Sequence, residues 1–326
     1  MQVIIPLAGK GTRLLPHTHT RAKPLCYLAG KPVLGHILDS MKKLPVEEII
    51  FITGHLGSQI KEYVDSNYKF KTRYLEQEEL NGQSPAVLLA KPFINKDVVI
   101  WFVDTISNAD LSQLGKLKAD GLIFVKDVDD PRRFGQVHTN AEGIVDRIIE
   151  KADPPVSNLV NIGLYYVKDS KKLFTAIEEQ VKKKVQTKGE YYLIDAFQIM
   201  IDQGAQFRAE SVDVWEDCGK PETLLATNRY LLEETHGNKP VKAQGCIIVP
   251  PVFIDPSAKV ENSIIGPFVS VAPGATITNS IIRDSIIHER ASVTDTTLES
   301  SIIGDNAIVV GRLRQLNVGD SSEVAY

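Results

Sequence analysis

Val3-Ile4-Ile5-Pro6-Leu7-Ala8-Gly9-Lys10-Gly11-Thr12-Arg13-Leu14-Leu15-Pro16 stands at the head of the chain, and Lys23-Pro24-Leu25 follows a few residues later. The β-branched run Val3-Ile4-Ile5 reads as a buried strand. It runs into a glycine-rich turn, where backbone N–H groups stand clear of side chains and can wrap a phosphate chain. Arg13 adds a rigid, permanently charged fork and Lys23 a mobile point charge, both suited to phosphate oxygens. Two other phosphate loops are excluded. A Walker loop needs Gly-Lys-Ser/Thr, but Gly11 follows Lys10, and a dinucleotide fingerprint needs a third small residue where Leu14 stands.

Outward from this loop, strand-like and helix-like segments alternate. Helices are expected at 35–44, 58–68, 85–90 and 110–118, and strands at 48–53, 73–75, 98–103 and 122–125. Continuous apolar strands separated by helices imply a mostly parallel sheet covered on both faces. In such sheets ligands sit at the carboxyl ends of the strands. The opening loop and Asp104, which ends the run Val98-Val99-Ile100-Trp101-Phe102-Val103, are both expected there. Residues 134–167 change to short strands and read as an inserted antiparallel layer; helices return at 171–184, 192–203 and 221–234.

Residues 236–243 are polar and punctuated and read as a linker between a domain at 1–235 and a second at 244–326. Beyond the linker Ile254, Val260, Ile265, Val271, Ile277, Ile282, Ile287, Val293, Leu298, Ile303 and Val309 recur five or six residues apart. That period is too long for a helix face or for strand alternation. It fits a parallel β-helix of hexapeptide repeats, in which each short strand turns one aliphatic inward per face. So few coils make a short solenoid, and a homo-oligomer is expected.

The 326 residues, 43% hydrophobic and 24% charged, have a soluble globular composition. A net charge of −4 gives no general attraction for nucleic acid or anionic membrane, so neither is an expected partner. No apolar run reaches the length of a membrane span, and a core strand at the start leaves no room for a signal peptide. Cys26, Cys218 and Cys246 are few and widely separated, which points to a reducing, cytoplasmic setting.

The loop Pro6-Leu7-Ala8-Gly9-Lys10-Gly11-Thr12-Arg13 with Lys23-Pro24 resembles the signature of the sugar-1-phosphate nucleotidylyltransferases. Trp215-Glu216-Asp217-Cys218-Gly219-Lys220-Pro221 resembles a second segment of the same family, in the right order. Weaker pieces lie between them: Phe134-Gly135-Gln136-Val137, Ile149-Glu150-Lys151, Asn161-Ile162-Gly163-Leu164-Tyr165, and Gly189-Glu190 through Asp195. The resemblance covers the whole chain. It implies a Rossmann-like α/β domain of the nucleotide-diphospho-sugar transferase fold, followed by a short left-handed parallel β-helix.

It also implies the reaction NTP plus sugar 1-phosphate giving NDP-sugar and pyrophosphate. By resemblance Arg13, Lys23, Asp104 and Asp217 are catalytic, with Mg²⁺ held by the two aspartates. Leu7, Ala8, Gly9, Lys10, Gly11 and Thr12, with Gly82 and Gln83 of the loop after Leu80, would bind nucleotide. Gly135, Glu150, Lys151, Asn161, Gly163 and Tyr165 would bind the sugar phosphate. Ala22, Pro85 and Thr105 depart from the family pattern. Glucose 1-phosphate with dTTP or UTP is the expected pair, with mannose 1-phosphate and GTP as the alternative. Two further alternatives are a non-catalytic regulatory subunit and an added acyltransferase, for which the repeat domain offers only His288 as base.

Overall fold

The computed structural model describes residues 1–42, 44–236, 243 and 245–311. Most of the expected linker at 236–243, and the end of the repeat segment from 312, lie outside the described residues. The chain divides into two compact units, Met1–Cys26 with Pro32–Leu224, and Tyr27–Lys31 with Leu225–Tyr326. No helix among the described residues is long and apolar enough to cross a membrane.

The first unit begins with β1 (Gln2–Pro6), α1 (Val33–Met41), β2 (Glu48–Thr53), α2 (Gly57–Asn67), β3 (Thr72–Glu76), α3 (Gln83–Leu88) and β4 (Val98–Trp101). Strand β1 lies parallel between β2 and β4, and β3 extends the sheet beside β2. Every residue of β1, β2 and β4 is buried, which is why these strands read as unbroken apolar runs. Then come β5 (Thr105–Ser107), β6 (Gly121–Asp127), β7 (Gly135–Thr139), β8 (Val145–Glu150) and β9 (Leu159–Val167). They are followed by α4 (Ser170–Lys182), α5 (Leu193–Asp202), β10 (Phe207–Ser211), β11 (Trp215–Asp217) and α6 (Pro221–Thr235).

Two expectations are corrected. Strands β7, β8 and β9 form no separate layer: they continue the main sheet, whose order is β8-β7-β9-β4-β1-β2-β3, with β6 beside β9 and β10 beside β6. The join is β9, which pairs antiparallel with β4 through Leu164–Trp101 to Val167–Val98. The helix expected at 110–118 is a single 3₁₀ turn, Leu111–Gln113. The Asp110 side chain accepts from Ser112 N at 2.9 Å, and the chain is already extended at Leu114.

The second unit is built on three four-stranded parallel sheets, the arrangement of a left-handed parallel β-helix. Its rungs stack in register, for example Val260, Ile277, Val293 and Val309. All eleven periodic aliphatics face the core. Val260, Ile265, Val271, Ile277, Ile282, Ile287 and Val293 are buried, while Ile254, Leu298, Ile303 and Val309 toward the two ends are partly so. Residues 225–235 of α6 belong to this unit, where the buried Asn228 accepts from Ala29 N at 3.0 Å and Ser270 Oγ at 2.6 Å, and Arg229 pairs with Asp284.

Candidate active site

Two cavities open at the carboxyl edge of the first unit's sheet. One, of about 420 Å³, is lined by Leu7, Ala8, Gly9, Gly11, Thr12 and Arg13 from the loop after β1, and by Lys23, Gly82, Gln83 and Asp104. The other, of about 530 Å³, is lined by Gly135, Glu150, Lys151, Asn161, Gly163, Tyr165 and Asp217. Arg13, Gln83, Phe102 and Asp104 line both. Both volumes suit a small organic substrate.

The shared wall is a charge cluster. Strand β4 stops at Trp101, and a turn carries Asp104 before β5. Antiparallel pairing of β5 with β11 sets Asp217 opposite Thr105, and Cys218 N donates to the Asp104 carbonyl at 3.0 Å. Lys23 Nζ donates to Asp104 Oδ2 at 3.0 Å, with the lysine side chain 14% exposed. Gly219 leaves the space that brings Arg13 to Asp217: a Cβ there would meet Asp217 Oδ1 at 2.6 Å and the Arg13 guanidinium at 2.8 Å. Burial alone would raise the Asp104 carboxyl. Lys23, a backbone hydrogen bond and Arg13 outweigh it and hold Asp104 below the usual carboxylate range. Asp217 goes the other way, raised by burial and then by the Asp104 charge.

On the other side, Asn161, Glu150 and Ile194 converge on Gly135: a Cβ there would lie 2.2 Å from Asn161 Nδ2 and 2.9 Å from Glu150 Oε2. Asn161 Nδ2 donates to the Gly135 carbonyl at 3.0 Å, and the buried Tyr165 hydroxyl donates to Asn161 Oδ1. Burial pushes the Glu150 carboxyl up against the pull of Lys151, whose Nζ is 3.4 Å from Glu150 Oε1. A glycine backbone, an amide and a carboxylate around one hollow offer donors and acceptors of the kind a polyhydroxylated ring needs.

A family model described as nucleotidyl transferase matches residues 2–234. The chain belongs to the nucleotidyl transferase family. The bifunctional protein GlmU of Methanocaldococcus jannaschii is 34% identical over 249 residues, covering 76% of this chain and 59% of that protein. The chain thus spans well under two thirds of that relative's length. The UTP–glucose-1-phosphate uridylyltransferase AglF of Haloferax volcanii is 32% identical over 245 residues, covering 72% of this chain and 98% of that one. A solved UDP-glucose pyrophosphorylase complexed with UDP-glucose aligns with a TM-score of 0.64 at 20% identity, over 72% of this chain and 98% of that one, and shares the fold.

Of the site residues expected from sequence, only Lys10 lines neither large cavity. It borders a small adjoining cleft with Arg21 and His55, which shares Leu7, Ala8 and Gly9 with the first cavity. The three departures from the family pattern have local reasons. Ala22 N donates to Gln59 Oε1 at 3.0 Å, a bond the usual proline could not make. Pro85 is the third residue of α3, where an N–H has no intrahelical partner to lose. The buried Thr105 hydroxyl donates to the Ile162 carbonyl, tying the Asp104 turn to β9.

Sequence reasoning passed over Gln77, Arg132, Arg133 and Lys188, and gave Glu190 no role beyond its place in a weaker motif. Gln77 and Glu190 line the first cavity; the three cations line the second. For Gln77 a signal existed: it is a polar residue just past the carboxyl end of β3. The Tyr191 carbonyl accepts from Gln83 N at 2.8 Å and Ser84 N at 3.1 Å.

Proposed function

We propose that this nucleotidyl transferase moves a nucleotidyl group from an NTP to a sugar 1-phosphate and releases pyrophosphate. The observation that carries the proposal is the wall common to the two cavities, where Arg13, Lys23, Asp104 and Asp217 meet. A phosphate loop opens on one side of that wall and a polar hollow suited to a sugar on the other. The triphosphate lies on the backbone of Gly9 and Gly11 with Arg13 against its charge. Lys23 screens the reacting phosphates, and Lys151 steers the attacking one. The sugar-phosphate oxygen attacks the α-phosphorus in line and pyrophosphate leaves opposite. No base is needed, because a phosphate monoester is already ionised. Phosphoryl-type transfers of this kind depend on positioning and charge neutralisation more than on covalent chemistry.

The residues present fit Mg²⁺. Asp104 and Asp217 are two half-buried carboxylates, and burial, then the Asp104 charge, raises Asp217. Among the described residues no group of three metal-capable side chains occurs. Two carboxylates suit an ion that draws the rest of its shell from phosphates and water. When bound there it would neutralise and polarise the phosphate oxygens.

Glucose 1-phosphate with UTP or dTTP is the proposed pair, supported by the name of the AglF relative, which the chain matches over nearly its whole length. The β-helix is proposed to join copies of the chain in a homo-oligomer. Its outward row Ile247, Ile264 and Ile281 stacks in register, with Ile247 61% and Ile281 46% exposed. The proposed compartment is cytoplasmic.

The test is pyrophosphate release with Mg²⁺ across five nucleoside triphosphates and several sugar 1-phosphates. Release that needs both substrates supports the proposal. Silence from the folded protein would favour a regulatory subunit.

A further inference from the structure

Tyr192 lines neither cavity, yet it touches Lys151, which lines the second. Its hydroxyl accepts from Lys151 Nζ, and that ammonium sits 4.3 Å from the centre of the Tyr192 ring. Lys151 itself has φ +51, the left-handed region that a lysine seldom enters, and its N–H donates to the Phe134 carbonyl at 3.0 Å. Its backbone is therefore held in place, while four side-chain torsions remain to be settled. Glu150 at 3.4 Å gives one restraint on the ammonium and Tyr192 gives the second.

Tyr192 is in turn fixed by its neighbours. Its carbonyl accepts from Gln180 Nε2 at 2.9 Å and from the buried Ser84 Oγ at 3.1 Å. On either side, the Tyr191 carbonyl holds Gln83 N and Ser84 N, and Leu193 N donates to Gln83 Oε1 at 3.2 Å. The segment 191–193 is thus stitched to the nucleotide-side loop 82–84 through its main chain and holds Lys151 through one hydroxyl. We propose that Tyr192 is a positioning residue: it sets the ammonium of Lys151 for the phosphate of the sugar substrate, from a mount shared with the nucleotide loop. The proposal rests on reading the larger cavity as the sugar-phosphate site. A tyrosine ring and hydroxyl restrain a flexible ammonium at little entropic cost, since the ring has few torsions of its own.

Tyr192→Phe keeps the ring and every main-chain bond and removes the hydroxyl alone. The expected result is a KM for sugar 1-phosphate raised by about 5- to 20-fold, the effect of one hydrogen bond to a charged group. The KM for nucleotide and the thermal midpoint should not move. In a Lys151→Met background the same change should have no further effect, because Tyr192 acts through Lys151. An unchanged KM for sugar 1-phosphate, an undiminished effect in the Lys151→Met background, or parallel rises in both KM values with a lowered midpoint each overturns the proposal.

A second readout needs no turnover. In a ¹H–¹⁵N spectrum of lysine ammonium groups, with Lys151 assigned through Lys151→Met, its signal should persist in wild type and be lost to solvent exchange in Tyr192→Phe. A signal unchanged by the substitution overturns the proposal. If the wild-type protein releases no pyrophosphate, this spectrum still decides the Tyr192–Lys151 bond, so the two readings fail separately.

Discussion

Cys218 donates its main-chain N–H to the carbonyl of Asp104 at 3.0 Å, and that bond, within the β5–β11 pairing, brings together two carboxylates far apart in the sequence. Asp104 follows a core strand and Asp217 ends a two-stranded ladder, so the separation of their side chains is set by backbone and not by side-chain choice. Lys23 and Arg13 offset part of their charge, and the proposed Mg²⁺ would offset more.

Asp104→Asn and Asp217→Asn are each expected to cut kcat by about 10²- to 10⁴-fold, the loss of several kcal/mol of charge stabilisation in the transition state. Thermal midpoints should stay close to wild type, because the backbone pairing survives. Chelation should abolish turnover and added Mg²⁺ restore it. Either variant at near wild-type rate would remove that residue from the metal site.

Glu150→Ala should raise the KM for sugar 1-phosphate by about 10- to 100-fold, a loss of roughly 1.4 to 3 kcal/mol of binding, and leave the KM for nucleotide unchanged. Glu150 lines the larger cavity alone, and its side chain is 8% exposed. Steady-state kinetics with each substrate varied in turn decides it; equal rises in both constants would contradict the division of the two cavities.

Asp195, in the first turn of α5, has a buried oxygen, Oδ2, with no hydrogen-bond partner among the described residues, and burial raises its carboxyl from 3.8 to about 6. Between those values the folded state holds a proton that the unfolded chain has lost. Its contribution to stability is therefore full below about pH 4 and is lost as pH rises through 6, a change of about 3 kcal/mol at most. Asp195→Asn should match wild type near pH 4 and exceed it in stability at pH 8. Denaturant midpoints at the two pH values test this; variants equal at both would contradict it.

Asn228 is fully buried in the second unit and accepts from both Ala29 N and Ser270 Oγ, while its Nδ2 donates to the Phe268 carbonyl at 3.3 Å. Asn228→Ala is expected to destabilise by about 2 to 4 kcal/mol, since it removes these bonds and opens a small void. Thermal unfolding measures it, and a loss below about 0.5 kcal/mol would show that water replaces the amide.

The inward residues of the β-helix were legible because one aliphatic per face is a local rule that the chain repeats: Ile277 and Ile282 could be assigned without knowing what they touch. Strands β1, β2 and β4 were legible for the same reason, being apolar at nearly every position. The helix at 110–118 was not, because Asp110 competes for the amide of Ser112, a choice that periodicity does not register. The membership of β7 to β9 in the main sheet depends on a pairing partner, β4, distant in the chain. Lys10 and Tyr192 show the limit at the site. Which cavity a loop residue lines, and a hydroxyl that serves another residue's ammonium, exist only once the chain has folded.

The most direct test labels the phosphate of the sugar substrate. Sugar 1-phosphate carrying ¹⁸O in its non-bridging phosphate oxygens is mixed with unlabelled NTP, and both products are weighed by mass spectrometry. Attack on the α-phosphorus predicts all of the label in the sugar nucleotide and none in the pyrophosphate. Label in the pyrophosphate, or no pyrophosphate from any pair, would contradict nucleotidyl transfer at the Asp104–Asp217 wall.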